Sequence, residues 1–356
     1  MSSRNLQIDA LRGLAALSVM LFHFTSWYGK SPVDGILRLN NFLSPPLLAF
    51  YFGDIGVPLF FMISGYVITA SSERHSKVTS FACSRFARLY PLYWCSIIFA
   101  VACYLPSNHR LIDYQPEWLT IAVNFSMFQT GVGVNNVNEA YWTLYIELQF
   151  YVLIALAIAT KQTARIPLYT LFLSAAYACA TLLNFWDWVP GLWRIKANLP
   201  LVLFANYFSL GIWVRTLRTS EQHKARNYTA IAICCVCLFI NPEYNPLASL
   251  LVLLVFWLAC EQKLKVLENR VFVGLGSISY ALYLFHGPCG YTMFNYLQGF
   301  VQIDLLITAA VCTSIAVAFL FSIALDKPIQ RFLKRIKIKQ MPSHDSVGRS
   351  RNKMGH

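Results

Sequence analysis

Apolar runs close to twenty residues long recur along the whole chain, separated by short stretches rich in basic residues, Asn, Gly or Pro. A helix rises ~1.5 Å per residue, so about 20 apolar residues cross the hydrocarbon of a bilayer. The pattern predicts ten membrane-spanning helices, near 8–28, 50–70, 89–106, 141–160, 166–184, 198–217, 228–241, 246–260, 271–297 and 303–325. The segments 228–241 and 246–260 are short for a crossing, so they call for tilt or local thinning. If those two form a re-entrant pair, the count falls to eight. The expected fold is an all-α integral membrane protein with about ten transmembrane helices around a central cavity. Residues 1–335 form the membrane domain. Residues 336–356 read as a basic, polar cytoplasmic tail without fixed structure.

The longest connection is 107–140. Its apolar patch WLTIAVNFSMFQTG is too short to span and reads as a re-entrant or interfacial helix, which needs protein or water around it. The run GVGVNNVNEA that follows reads as an irregular loop. Pro58 is expected to kink the second span, and Pro91 to sit in the first turn of the third.

Composition agrees with a membrane protein. Of 356 residues, 57% are hydrophobic and 13% charged, where a soluble domain carries roughly 25% charge. The net charge of +13 comes from where Lys and Arg sit, so nucleic acid is not the expected partner. With the N-terminus in the cytoplasm, 24 of the 29 basic residues fall on the cytoplasmic side, in the N-terminus, the loops near 74–88, 161–165, 215–226 and 263–270, and the tail. Lys30, Arg38, Arg110, Arg194 and Lys196 remain on the other side. That bias puts both termini in the cytoplasm. The ten cysteines lie almost entirely in apolar runs, without metal-ligand spacing to His, and read as small hydrophobes rather than a disulfide framework or a metal site. No metal is expected. The N-terminus lacks an A-x-A cleavage site, so the first apolar run is kept as a span.

Candidate chemistry is concentrated in five stretches. The first, QIDALRGLAALSVMLFHF, carries Asp9, Arg12 and His23. Ionisable groups inside a span are costly and mark function when present. Arg12 and His23 are eleven residues apart, close to three turns, so they share a face with Asp9, and the imidazole lies roughly 16 Å further along the axis. His23 is either a packing histidine or a general base that takes a hydroxyl proton. In SRFARLYPLYW, Arg85 and Arg88 share one helical face, as membrane anchors or as a phosphate fork. GDIGVPLFFMISGYVIT offers Ser64 among small residues suited to helix packing. YWTLYIELQFY places Glu147 well inside a span, where it can orient an imidazole or pair with an arginine. Trp142, in the same stretch, serves as a substrate platform or an interfacial anchor. In GLGSISYALYLFHGP a second intramembrane histidine, His286, accompanies Tyr280 and Tyr283, either binding acceptor hydroxyls or locking helices.

Taken together, these stretches resemble acyltransferase family 3, integral-membrane enzymes that modify bacterial surface polysaccharides. The pieces DALRGLAALSVMLFHF, GVPLFFMISGYVIT, RFARLYPLYW, WTLYIELQFY and SISYALYLFHGP stand in the family's order over roughly residues 5–335. Thr143 stands where the family is expected to have serine, and Pro58 where many members have Asp. The resemblance implies a ten-span fold in the bacterial inner membrane. It also implies transfer of an acyl group, commonly acetyl from acetyl-CoA, to a hydroxyl of a glycan or lipid-linked glycan. It assigns His23 as catalytic base, Arg85 and Arg88 to the acyl-CoA donor, Arg12 to the first-helix arginine and Glu147 to the acidic residue of the fourth-span motif. Asp9, Ser64, Trp142, Tyr280 and His286 are supporting residues. Acyl-CoA is then a substrate, and no separate cofactor is implied. The alternative from another class is a proton-coupled secondary transporter of a polar solute, which uses intramembrane Asp, His, Glu and Arg in proton relays. The chain shows no paired halves with matching broken helices, which such a transporter would favour. A non-catalytic subunit of a glycan assembly complex is a third reading.

Overall fold

A computed structural model describes residues 5–25, 53–104, 116–185, 198–240, 243–297 and 300–329. The outer-side charges Lys30, Arg38, Arg110, Arg194 and Lys196, and the tail 336–356, lie outside the described residues. Among the described residues the structure is helical and contains no strand. The principal helices are α1 (Leu6–Thr25), α2 (Gly56–Ser72), α3 (Val78–Tyr104), α4 (Trp118–Asn124), α5 (Trp142–Ala159) and α6 (Ile166–Leu182). They continue with α7 (Leu201–Thr219), α8 (Lys224–Ile240), α9 (Pro246–Cys260), α10 (Arg270–Leu297) and α11 (Ile303–Phe321). Each apolar segment read from the sequence is therefore a helix. Among the described residues, five helical segments are long and apolar enough to cross a membrane: Leu6–Thr25, Gly53–Ser72, Val78–Tyr104, Glu139–Ala159 and Ile303–Ile329. The chain is a multi-pass membrane protein.

Two boundaries differ from the sequence reading. Helix α3 begins at Val78 and runs 27 residues, so Pro91 is an interior proline rather than a first-turn residue. The polar residues Ser80, Ser84, Arg85 and Arg88 lower the hydropathy of those opening turns, although they form a continuous helix with the apolar part. Helix α2 begins at Gly56, which puts Pro58 in its first turn, where the backbone N–H groups lack intrahelical partners anyway. A proline there breaks no intrahelical hydrogen bond, which removes the reason for the expected kink.

Close backbone approach holds the bundle together. Helix α1 packs along α10, and α2 along α7. At the first crossing Gly13 and Gly276 face one another. A Cβ on Gly276 would overlap the Asp9 carbonyl, and one on Gly13 would overlap the backbone at Leu275 and Gly276. At the second crossing Gly65 meets the Phe208 carbonyl and Gly211 the Met62 carbonyl in the same way. Small residues let helices approach where lipid supplies no hydrophobic drive between them. The consequence for the site is direct: the polar stripe of α1 is pressed against the α10 face that carries Tyr280, Tyr283 and His286.

The start of α1 is fixed by two side chains. Asn5 Oδ1 accepts the backbone N–H groups of Gln7 and Ile8 at 3.0 and 3.3 Å, an N-cap. Gln7, fully buried, donates Nε2–H to Glu268 Oε1 at 2.7 Å and accepts the Leu264 N–H at 2.9 Å, tying the 264–268 connection to α1.

The segment 116–141 is ordered. The hydroxyls of Tyr93 and Tyr90 and the indole N–H of Trp94, all on α3, donate to the carbonyls of Asn124, Ser126 and Phe125 at 2.8–2.9 Å. These carbonyls lie at and just beyond the end of α4, where the regular i→i+4 ladder has ended. Tyr93 is the sixteenth residue of α3, about 22 Å along it at ~1.5 Å per residue, so α4 docks at mid-helix. A re-entrant segment needs this kind of packing. Asn124, also buried, holds the following loop by donating to the Asn135 carbonyl and accepting the Val137 N–H. The GVGVNNVNEA run is thus irregular but pinned by its asparagines. Trp118, 78% exposed, points away from the protein.

Candidate active site

A cavity of about 580 Å³ lies between α1, α2, α3, α5, α10 and the end of α11. Its polar lining includes Asp9 and Arg12 of α1, Ser64 of α2, Arg85 and Arg88 of α3, and Thr143, Glu147 and Tyr151 of α5. Ser277, Ser279, Tyr280 and Tyr283 of α10, and Asp326 and Lys327, complete that set. Four basic and three acidic side chains therefore face one space.

The three arginines converge from two helices. On α3, Arg85 and Arg88 are one turn apart and both reach the cavity, as the spacing predicts. The Arg85 guanidinium lies 5.8 Å from the Phe81 ring and 5.9 Å from the Tyr151 ring, a cation–π setting. Its hydrogen bonds, to the Ser71 and Ser84 hydroxyls, are long at 3.4 Å, and its buried Nε has no partner among the described residues. Among the described residues, no carboxylate lies within ion-pair distance of Arg12, Arg85 or Arg88. Cations held this way in a partly enclosed space are set up to receive an anion.

Glu147 Oε1 accepts from the Ser64 hydroxyl at 3.1 Å and from the Tyr151 hydroxyl, one turn on, at 2.7 Å. It shares the cavity with the arginines, where it offsets part of their charge. The sequence left open whether this carboxylate orients an imidazole. The structure assigns that contact elsewhere: His23 Nδ1 lies 2.8 Å from Nε2 of His286, both buried, with the rings stacked at 5.1 Å between centroids.

Neither histidine lines the arginine cavity. Its lining on α10 reaches Tyr283, and His286 is the next residue on that face, its ring 6.0 Å from the Tyr283 ring. The Tyr283 and Thr143 hydroxyls are 2.7 Å apart. Thr143 also donates to the Ala140 carbonyl, so Tyr283 is the donor to Thr143. Phe60 packs edge-on against Tyr283 at 5.4 Å. Thr143, Tyr283 and Phe60 thus form a partition between the arginine cavity and the histidine pair.

The other supporting residues divide. Asp9 and Ser64 line the cavity. Tyr280 also lines it, but its hydroxyl donates to the Leu89 carbonyl at 2.9 Å, closing α10 onto α3. Trp142 is half-buried against Phe204, ring centroids 5.4 Å apart, and does not line the cavity, so it is a packing residue there.

Several residues escaped the sequence reading. Asp326 and Lys327 reach the cavity because the chain after α11 turns through a π-helical stretch, Ser322–Asp326. Such turns recur at functional sites, but no sequence pattern marks this one. The sequence pattern places Asn138 in an irregular loop. Its Nδ2 donates to the Leu284 carbonyl at 2.8 Å, and its Oδ1 accepts the Ala140 N–H, starting the 3₁₀ turn that leads into α5. A signal for it existed in the other partner. Pro288 lacks an N–H, so the carbonyl four residues earlier, Leu284, needs another donor.

A family model described as an acyltransferase domain matches residues 5–325. Among curated proteins, the chain is 26% identical to BcsY of Komagataeibacter xylinus, provisionally named a membrane-bound transacylase, over 91% of this chain and 82% of that protein. It is 26% identical to the peptidoglycan O-acetyltransferase OatA of Listeria monocytogenes over 41% of this chain and 23% of that protein. It is 24% identical to the acyltransferase MdmB of Streptomyces mycarofaciens, over 49% of this chain and 44% of that protein. No solved structure matches the chain at a significant level.

Proposed function

The chain belongs to this acyltransferase family and is an O-acyltransferase, and from that premise we propose that it moves an acyl group, acetyl in the first instance, from acyl-CoA to a hydroxyl of a cell-surface glycan or lipid-linked glycan. The observation that carries the proposal is the arginine-lined cavity, which reaches Tyr283, one turn of α10 before the His286 that contacts His23. Arg85, Arg88 and Arg12 bind the phosphates of the donor, with Glu147 keeping the guanidiniums apart and correctly aimed. The acyl arm then extends past Thr143 and Tyr283 toward His23. His23 accepts the proton of the acceptor hydroxyl as its oxygen attacks the thioester carbonyl. The carbon–sulfur bond breaks, and the thiolate takes that proton as it leaves. Positioning both reactants in one enclosed path supplies much of the rate gain.

In this reading the protein resides in the bacterial inner membrane with both termini in the cytoplasm, where acyl-CoA is made. Residues 1–335 act as the catalytic membrane domain and 336–356 as a cytoplasmic tail. Family membership places the chain with transferases rather than with proton-coupled transporters.

The test is mass spectrometry of surface glycans from cells carrying the wild-type protein, His23→Ala or no protein. It is paired with acyl-CoA consumption by the purified protein. An acyl mass increment in wild type alone, at equal expression, is the expected result. Retention of the increment by His23→Ala overturns the role of His23. Absence of acyl-CoA turnover by the wild type overturns the choice of donor.

A further inference from the structure

The hydrogen bonds around His286 have a direction, and that direction reaches His23. His286 Nδ1 lies 3.0 Å from the Leu282 carbonyl oxygen. A carbonyl only accepts, so Nδ1 of His286 carries the proton. In the neutral ring its Nε2 is then a lone pair, and that lone pair faces Nδ1 of His23 at 2.8 Å. His23 must be the donor in this contact. Its Nδ1 is protonated, and its Nε2 bears the lone pair.

We infer that His286 is the positioning residue of the reaction: it holds His23 as the Nδ1–H tautomer, so that Nε2 of His23 is the atom that takes the acceptor hydroxyl's proton. This inference rests on the acyl-transfer reading for its catalytic meaning, although the tautomer itself does not. Which ring nitrogen of a histidine is basic is set by the bond that the other nitrogen makes. Here the orienting group is a second imidazole where a carboxylate would be the commoner choice.

The geometry adds a second consequence. When His23 gains a proton at Nε2, the proton between the rings can cross the 2.8 Å gap to Nε2 of His286. The positive charge then sits on a ring already bonded to the Leu282 carbonyl. When the thiolate leaves, the proton between the rings returns to His23 and Nε2 of His23 releases its own to sulfur, so protons and electrons balance. The scaffold holds His286 rigidly for this task. The Leu284 carbonyl two residues along is held by Asn138, and a Cβ on Gly287 would lie 2.9 Å from Asn138 Oδ1.

The tautomer can be read without mutating His286. Nitrogen NMR of protein labelled with ¹⁵N-histidine, with the His23 signals identified by their loss in His23→Gln, is expected to show Nδ1 protonated and Nε2 unprotonated in the neutral ring. An Nε2-protonated His23 overturns the inference. Kinetics supply an independent reading. Replacing His286 by Leu is expected to lower kcat by about 10²–10⁴-fold, the range of a misdirected base, with KM for acyl-CoA unchanged. His286→Gln, whose Oε1 can accept from His23, is expected to recover most of that loss. A folded His286→Leu protein with wild-type kcat overturns the inference, as do Gln and Leu variants equally impaired through KM. If the wild type turns over no acyl-CoA, the acyl-transfer reading fails while the NMR measurement still decides the tautomer.

Discussion

The side-chain amide of Asn138 donates to the carbonyl of Leu284 at 2.8 Å, filling the bond that Pro288 cannot make. One interaction therefore connects a proline-interrupted helix to the turn that launches α5. It lies between the two halves of the candidate site, with His286 just beyond Leu284 on one side and Thr143 just beyond Ala140 on the other.

Removing this donor should be costly. Asn138→Ala leaves a buried carbonyl unpaired and removes the cap of the 139–141 turn, a loss of about 1–3 kcal/mol in stability. Thermal unfolding in detergent measures it. Activity should fall as well, because both His286 and Thr143 lose a fixed reference.

Arg85 should not be replaceable by lysine. Its planar fork is held over two aromatic rings with Nε unpartnered, whereas an ammonium is a point charge. Both Arg85→Ala and Arg85→Lys should raise KM for acyl-CoA by roughly 10–100-fold, the equivalent of one or two charge-assisted hydrogen bonds. The effect on kcat should be smaller. Steady-state kinetics at varied donor concentration separates the two.

The Thr143–Tyr283 partition distinguishes conservative from disruptive changes. Thr143→Ser keeps the acceptor oxygen for Tyr283 and should behave as wild type. Thr143→Val leaves the buried Tyr283 hydroxyl without that acceptor and should cost about 1–3 kcal/mol. Unfolding and activity measured on both variants provide the comparison.

The crossing of α1 and α10 should tolerate no side chain at Gly276. Gly276→Ala places a methyl on the Asp9 carbonyl, and overpacking of this kind costs about 1–3 kcal/mol or more. Because Arg12 and His23 both ride on α1, loss of activity should accompany the loss of stability. Size-exclusion profiles and residual acyl transfer report the two effects.

Acid should loosen the Gln7–Glu268 tie. The Gln7 hydrogen bond, reinforced by Lys265, holds the Glu268 carboxyl below its usual range. A lowered folded value means that the contribution is fully present above the ordinary Glu pKa of about 4.3 and is lost as pH falls through the folded value. Gln7→Ala should therefore lower the melting temperature at neutral pH, where the contribution is fully present, and flatten its acid-side decline. Melting curves across that range test it.

Much of this was legible along the chain. Apolar runs of spanning length identify the helices because each run must satisfy its backbone internally. The stripe of Asp9, Arg12 and His23, and the pair Arg85 and Arg88, follow from helical period alone, and the ordered motifs identify the family. What the chain could not show is which faces meet. In a membrane protein the lipid-facing positions are as apolar as the packed ones: exposed Phe172 and Leu320 read no differently from buried Phe150 and Phe285. The amphipathic signal that orients a soluble helix is therefore weak, and pairings between distant helices are left undetermined. Only the tertiary structure brought His286 to His23 across 263 residues, drew Glu147 to Ser64, and turned Asp326 and Lys327 into the cavity. Those contacts depend on glycine crossings and a proline-vacated carbonyl, long-range events that local periodicity does not encode.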